Sequence, residues 1–324
     1  MEEHAVESRQ LRYFAQVVES GSFSKAALVL RVAQPALSHH VRQMEQELGV
    51  PLLFRGPHGV QPTDAGNRLM LHARRVLAEF AEIPDSVRGL RALPRGDVRF
   101  GLPGTVSEIL AVPLIEAAKA KYPDVRIRVV EAMSGYILDW LRKGDIDLAM
   151  IYSTSDPRGL AYHLGLSEEI CLFASADLDG RLATDPGAVR FADIADLPMI
   201  VPGPGHGLRE LIDSSAAGSG FAIRPAIEID SYNQIKKLVE RGIGYGILPR
   251  MAIDREVSEN RFVAWRFVEP PLTRKVHLAY STERPLNAAP RAVAQLSWEI
   301  LRLLVRDKVW TARLPEGQAG LDLF

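Results

Sequence analysis

At 324 residues, 47% of them apolar, the chain has room for about two domains, each with a full hydrophobic core. Its 39 Lys and Arg balance 40 Asp and Glu, which excludes a globally basic nucleic-acid binder and an acidic solvating chain, so any nucleic-acid site must be local. The single Cys171 excludes an internal disulfide and a thiolate metal cage, while the polar start MEEHAVESRQ and the lack of any run near the roughly 18 apolar residues of a membrane span point to a cytoplasmic protein with no membrane partner.

In chain order, Ser8 is placed to cap a first helix whose apolar positions Leu11, Phe14, Ala15 and Val18 recur at helical spacing until Gly21 stops it. Ser24 is placed to cap a short second helix through Leu30. After a turn at Arg31 to Ala33, Gln34 and Pro35 open a third helix, which Gly49 ends. On that helix Leu37, Val41, Met44 and Leu48 share one stripe, leaving Pro35, Ser38, His39, Arg42 and Gln46 on the opposite side, free to read something. Val50 to Arg55 reads as a strand, Gly56, Pro57 and Gly59 as a turn, and Val60 and Gln61 as a returning strand. Three helices and a hairpin in this order fit a winged helix-turn-helix, and on pattern alone they equally fit a small structural domain.

Thr63 and Asp64 start a long helix on which Leu69, Ala73, Val76, Phe80, Ile83, Val87 and Leu90 alternate four and three residues apart. That spacing is the seam of a dimeric coiled coil, or else the buried stripe of one amphipathic helix lying on its own core. Pro84 predicts a bend near Ile83. From Leu93-Pro94-Arg95-Gly96 onward, short strands alternate with helices: Val98 to Leu102, a helix from about Ser107, Val125 to Val130, a helix from about Tyr136, and Ile146 to Tyr152. A second series has strands near Ile170 to Ala174, Met199 to Val201, Ala226 to Ile229 and Tyr245 to Leu248. Such alternation predicts two α/β lobes with mostly parallel sheets and a ligand site at strand ends and helix N-termini. Asp307 to Phe324, with Pro315, Gly317 and Gly320, reads as a loosely packed tail.

No HExxH, GxSxG or P-loop lysine pattern occurs, and the GxGxG run Gly242 to Gly246 stands between a helix and a strand rather than the reverse. Cys171 lies in an apolar strand, as a buried thiol would. The sequence therefore offers no catalytic residue, metal site or cofactor, and the chain is not read as an enzyme.

The stretch LRYFAQVVESGSFSKAALVLRVAQPALSHHVRQMEQELGVPLLFR, followed by GVQPTDAG, resembles the N-terminal domain of LysR-type transcriptional regulators nearly position by position. The resemblance rests on Phe14, Gly21-Ser22-Phe23, Ala26-Ala27, Gln34 to Ser38, Glu45, Leu48-Gly49, Phe54-Arg55, Thr63 and Gly66. PTDAG through HARRVL, and PGTVS further on, look most like the branch that contains nitrogen assimilation control regulators.

The resemblance implies a winged helix-turn-helix over 1–62, a linker dimerisation helix over 63–94, a two-lobed periplasmic-binding-protein-like effector domain over 95–306 and a tail over 307–324. Lobe I is expected at about 95–163 and 269–306, and lobe II at about 164–268. It further implies that Gln34, Pro35, Ser38, His39 and Arg42 enter the major groove of promoter DNA, with Ser24 and Lys25 near the backbone and Arg55 on a phosphate. An amide can pair with two atoms of an adenine edge and arginine with guanine, each giving about 1–3 kcal/mol of discrimination. Many members carry a basic or amide residue where this chain has His39-His40. Between Arg9 and Asn67 the basic excess is only two charges, so a dimer reading two half-sites is the physically sensible form.

In the second domain the resemblance places a small-molecule effector among Thr105, Ser134, His206, Gly207, Leu208, Ser231, Tyr232 and Ile247. Hydroxyls and helix-end amides suit a small carboxylate or similar anion, with Arg209 adding charge, although Ser and Thr before helices also serve as ordinary caps. A dimer of dimers whose effector alters DNA bending and contact with RNA polymerase is the assembly implied. A two-lobed receptor without a DNA role and an α/β enzyme are the alternatives from other classes.

Overall fold

The N-terminal helices follow the chain's own punctuation. They are α1 (Ser8–Ser20), α2 (Phe23–Leu30) and α3 (Gln34–Leu48), and Gly21 and Gly49 close the first and third in the left-handed conformation that glycine tolerates. The computed structural model describes residues 6–56, 59–87, 93–152, 158–178, 182, 187–284, 286–317 and 320–321, and the chain divides into two compact units, Met1–Leu93 and Pro94–Phe324.

In the first unit the helix caps sit one or two positions before the residues expected. Glu7, not Ser8, caps α1, where its N–H donates to Gln10 Oε1 at 2.8 Å. Ser22, not Ser24, caps α2 by accepting from the Lys25 N–H at 3.5 Å. In both cases a polar side chain one or two residues earlier competes for the first helical N–H groups, a contest that spacing alone does not decide. Leu37, Val41 and Met44 are fully buried against Phe14, Val17 and Ala26, but the stripe ends there and Leu48 stays 41% exposed.

The wing is β1 (Leu53–Gly56) and β2 (Gly59–Pro62), antiparallel, with Leu53 opposite Pro62. It begins later than Val50 because Leu52 and Leu53 donate their N–H groups to Glu45 Oε1 at 2.9 and 3.2 Å. Thr63 then caps α4 (Asp64–Val87), accepting from the Gly66 N–H at 3.0 Å and donating to Pro51 O at 2.8 Å. A Cβ at Gly66 would stand 2.1 Å from Leu52 O, so only glycine lets the linker helix leave the wing at this point. The stripe expected on α4 splits in two. Leu69 and Ala73 pack into the helix-turn-helix core, whereas Val76, Phe80 and Ile83 are 38%, 51% and 51% exposed. The helix runs unbroken past position 84; the side chain of Val87, and Leu90 altogether, lie outside the described residues.

The second unit continues through β3 (Gly96–Leu102), α5 (Gly104–Lys121), β4 (Val125–Glu131), α6 (Ser134–Lys143), β5 (Leu148–Ile151), β6 (Leu160–Ser175), β7 (Ala188–Val189) and β8 (Met199–Val201). It goes on with α7 (Gly207–Gly218), β9 (Pro225–Glu228), α8 (Tyr232–Glu240), β10 (Tyr245–Pro249), α9 (Asp254–Ser258), β11 (Phe262–Phe267), β12 (Thr273–Ser281), α10 (Ala288–Arg306) and β13 (Ala312–Arg313). Parallel strands in the order β4-β3-β5, extended by antiparallel β12, make one lobe; parallel β10-β8-β9, with β6 and β11, make the other. Each lobe closes over its own core, one around Phe100, Leu110, Leu148 and Trp298, the other around Phe173, Phe191, Ile200 and Phe267. The Gly242 to Gly246 run joins α8 to β10, a helix-to-strand link, the reverse of the strand-to-helix order of a dinucleotide-binding loop.

The lobes share β6. Its 16 residues pair with β12 from Leu160 to Glu169, then with β10 and β11 from Ile170 to Ser175. At this crossover Glu168 and Arg274, 1% and 5% exposed, form a buried ion pair with Arg274 Nε at 2.8 Å from Glu168 Oε1.

The tail is not loose, contrary to its composition. Trp310 is fully buried and its Nε1–H donates to Glu168 Oε2 at 3.0 Å; Ala312 and Arg313 pair with Glu168 and Ser167 of β6; Leu314 and Leu321 pack on the first lobe's core. One tryptophan with a buried acceptor outweighs the prolines and glycines around it. Trp310→Ala is expected to lower unfolding stability of the second unit by about 3–5 kcal/mol, measured by urea denaturation. A change under about 0.5 kcal/mol, the size of an ordinary surface substitution, would contradict this packing.

Candidate functional site

Two surfaces carry chemistry, one in each unit. On α3 the side chains of Gln34, Pro35, His39 and Arg42 are exposed, and Arg42 makes no ion pair among the described residues. Ser24 and Lys25 are exposed in the first turn of α2. Ser38 differs from expectation: it is only 9% exposed, lying beneath Arg55 with Arg55 Nη1 at 3.5 Å from its hydroxyl. Arg55 itself donates from Nη2 to Glu45 Oε2 at 3.0 Å and stacks over the Phe23 ring at 5.0 Å. Its fork therefore holds the wing to α3. His40 packs edge-on against Tyr13, with ring centroids 5.3 Å apart, and leaves His39 as the imidazole on the open face.

In the second unit Thr105, Ser134, His206, Leu208, Ser231 and Tyr232 are brought together around a cleft of about 390 Å³ between the two lobes. Gly207 opens α7 at its margin, with Ser134 Oγ 3.9 Å from where a Cβ would stand. Ile247 is not in the lining. It is fully buried in the second lobe's core, and Leu248, which the strand's pleat sends the other way, takes its place. Arg209 is also absent, because its guanidinium is held by Asp213 at 2.8 Å, Glu228 at 2.6 Å and Pro202 O at 3.0 Å.

The capping reading does not account for these hydroxyls. The helices α5, α6 and α8 have Pro103, Met133 and Ser231 at their caps, and none accepts a side-chain capping bond. Their first-turn N–H groups stay available at the cleft and carry the positive end of each helix dipole. Thr105 Oγ1 instead lies 2.7 Å from Tyr152 OH and accepts from Arg274 Nη2 at 3.1 Å. Of the four helices that start at the cleft, α7 alone shows a side-chain cap among the described residues, His206 Nδ1 accepting from the Leu208 N–H at 3.2 Å.

Charge in the cleft comes from Arg274, Glu131 and Asp230, which local sequence reasoning missed. Arg274 could have been found from strand alternation. In TRKVHLAY it shares the inward register with Val276 and Leu278, and a charge in that register needs a buried partner. Burial works against the Arg274 charge, but Glu168 and then Tyr152 hold its pKa above the ordinary value. The guanidinium lies flat on the Tyr152 ring, 3.6 Å from its centroid, and burial pushes the Tyr152 phenol up to about 12 despite that cation. Tyr232 is raised too, first by burial and then by its bond to Glu108. Burial lowers His206 below the usual imidazole value of 6.5, opposed in part by Asp230 and assisted by Arg274. Cys171 is buried, and desolvation followed by Glu169 pushes its thiol up to about 12. Among the described residues no group of three His, Cys, Asp or Glu could hold a metal ion, and no helix is long and apolar enough to cross a membrane.

Comparison with known proteins covers both units. The family described as LysR substrate binding domain matches residues 91–302, and that described as bacterial regulatory helix-turn-helix protein, lysR family, matches residues 8–67. The nitrogen assimilation regulatory protein Nac of Escherichia coli (strain K12) is 29% identical, over 93% of this chain and 97% of its own length. A full-length OxyR structure from Pseudomonas aeruginosa superposes with a TM-score of 0.71 at 21% identity, covering 92% of this chain and 98% of its own. Full-length CbnR in complex with its target DNA gives a TM-score of 0.52 at 20% identity, covering 91% and 99%.

The His206 cap carries a pH signature. An imidazole held below 6.5 in the folded state costs nothing above that pH. It destabilises the fold as pH falls through 6.5, and the loss levels off below the folded-state pKa. Between pH 7.5 and 5.5 the wild-type second unit should therefore lose more stability in urea titrations than His206→Asn, which keeps a capping acceptor without the titration. Equal losses would show that the cap is not the titrating group.

Proposed function

The chain belongs to the LysR family of transcriptional regulators, with a DNA-binding helix-turn-helix and an effector-binding domain, and from that premise we propose that it acts in the cytoplasm as a dimer of dimers on promoter DNA. The observation that carries this reading is the uncommitted face of α3, where Gln34, His39 and Arg42 stand exposed above a helix held rigidly by its buried side. Gln34 and Arg42 supply bidentate readout of adenine and guanine edges, Pro35 and His39 fill the groove beside them, and Ser24, Lys25 and the outer edge of Arg55 meet phosphates. Ser38 supports Arg55 from below. The exposed Val76, Phe80 and Ile83 supply the pairing surface for a second copy.

In the cleft, Thr105, Ser134, Ser231 and the uncapped helix amides hold a small effector that carries a carboxylate or like anion, and the bound state shifts how the two reading heads are presented to DNA and to RNA polymerase. The likeness to nitrogen assimilation regulators makes genes of nitrogen metabolism the first targets to examine. Thiol-based redox sensing does not suit this chain, since Cys171 is its one cysteine and is buried with a raised pKa.

Selection of genomic DNA fragments by the purified protein at near-physiological salt is expected to enrich a few promoter regions sharing an interrupted dyad. No enrichment, with or without metabolite extract, would remove the regulatory reading. On an enriched fragment, Arg42→Ala should weaken binding by about 1–3 kcal/mol and relax preference at one base pair of each half-site. A uniform loss across unrelated sequences would make Arg42 a phosphate contact. Val76→Glu combined with Phe80→Glu should give monomers in sedimentation velocity, and dimer-sized material would place the pairing surface elsewhere.

A further inference from the structure

Resting on the reading of the cleft as an effector site, we propose that its ligand is a small zwitterion of the amino-acid type, bearing both a carboxylate and an ammonium group. The anionic half is suited by Arg274. This residue is 5% exposed and lines the cleft; its Nε and Nη2 are committed to Glu168 and Thr105, and Nη1 has no partner among the described residues. A buried guanidinium edge left open beside the uncapped first turns of α5 and α6 is a place for a carboxylate.

An anion alone does not balance the cleft. The charge of Arg274 is already offset by Glu168, and Glu131 and Asp230 both line the same space. The Glu131 side chain makes no hydrogen bond or ion pair among the described residues. Asp230 accepts from the Gly203 N–H through Oδ1 at 3.0 Å and faces the largely neutral His206, and among the described residues it has no cationic Lys or Arg partner. Glu131 ends β4 of one lobe, and Asp230 follows β9 of the other. Two carboxylates facing one cleft from opposite lobes repel each other, and an ammonium between them turns that repulsion into attraction. Such a ligand favours whichever arrangement of the lobes brings both carboxylates onto its ammonium, and a preference of that kind is the condition for a ligand to shift a balance between two states. A plain carboxylate would find Arg274 but leave Glu131 and Asp230 opposed.

The test is calorimetric titration of the full-length protein, without DNA, with the twenty standard amino acids, their decarboxylated amines and their 2-oxo acid counterparts. At least one amino acid is expected to bind, and its amine and 2-oxo acid to bind about tenfold or more weakly. Glu131→Gln and Asp230→Asn, isosteric changes of exposed side chains outside the core, should each erase the preference for the amino acid over its 2-oxo acid while thermal unfolding stays unchanged. A 2-oxo acid that binds as tightly as its amino acid, a preference that survives both substitutions, or a panel that does not bind at millimolar concentration would overturn the proposal. Promoter selection by the same preparation separates that outcome from failure of the regulatory reading, because DNA fragments would still be enriched.

Discussion

The buried ion pair between Glu168 and Arg274 is the constraint from which the second unit takes its form. Two charges at this depth are costly to desolvate, and removing one partner of such a pair typically costs about 3–5 kcal/mol. They persist because nearly every polar valence is answered: Arg274 meets Glu168, Thr105 and the Tyr152 ring, and the second oxygen of Glu168 takes the Trp310 indole. The cluster lies where β6 passes between the lobes beside the start of β12, so it joins the shared strand, its neighbour, the C-terminal segment and the cleft in one polar network. A ligand that meets Arg274 thereby touches the structural join between the lobes.

Glu45 plays a comparable part in the first unit with a different economy. It is partly exposed and its partners are local. One oxygen collects the N–H groups of Leu52 and Leu53, and the other holds Arg55. A single carboxylate on α3 thus fixes where the wing starts and which way its arginine turns. The resemblance implies a phosphate partner for Arg55, and in the structure one edge of its guanidinium is held by Glu45.

How much of this was legible in the sequence depended on the distance over which each interaction acts. Helix ends at Gly21 and Gly49, the apolar stripe of α3 and the alternation of strands and helices are local, and they were readable from a few neighbouring residues. The caps were off by one or two positions because several polar side chains compete for the same N–H groups. Ser38 misled because helical spacing reports which side of the helix a residue occupies, not that an arginine from the wing will cover it. Arg274 and Thr105 meet across 169 residues of chain and Trp310 and Glu168 across 142, so neither the cleft floor nor the docked tail had a local signature. Six of the eight cleft residues expected from family resemblance line the cleft, since strand-end loops and helix starts converge there by topology; Gly207 stands at its margin, and Ile247 fell to the wrong side of a pleat.

The attachment of the wing has a consequence for how such a reading head can be regulated. Beyond the Glu45 bonds, the Val60 N–H donates to Gly21 O at 2.9 Å, so the hairpin is tied to the turn between α1 and α2 as well as to α3. The third helix, the two wing strands and the turn after α1 are therefore tied to one another by direct bonds among the described residues. Under the proposed reading as a dimer of dimers, a ligand response would act on the geometry between copies, leaving the base preference at each half-site in place and changing the spacing and bend of DNA that two heads span together.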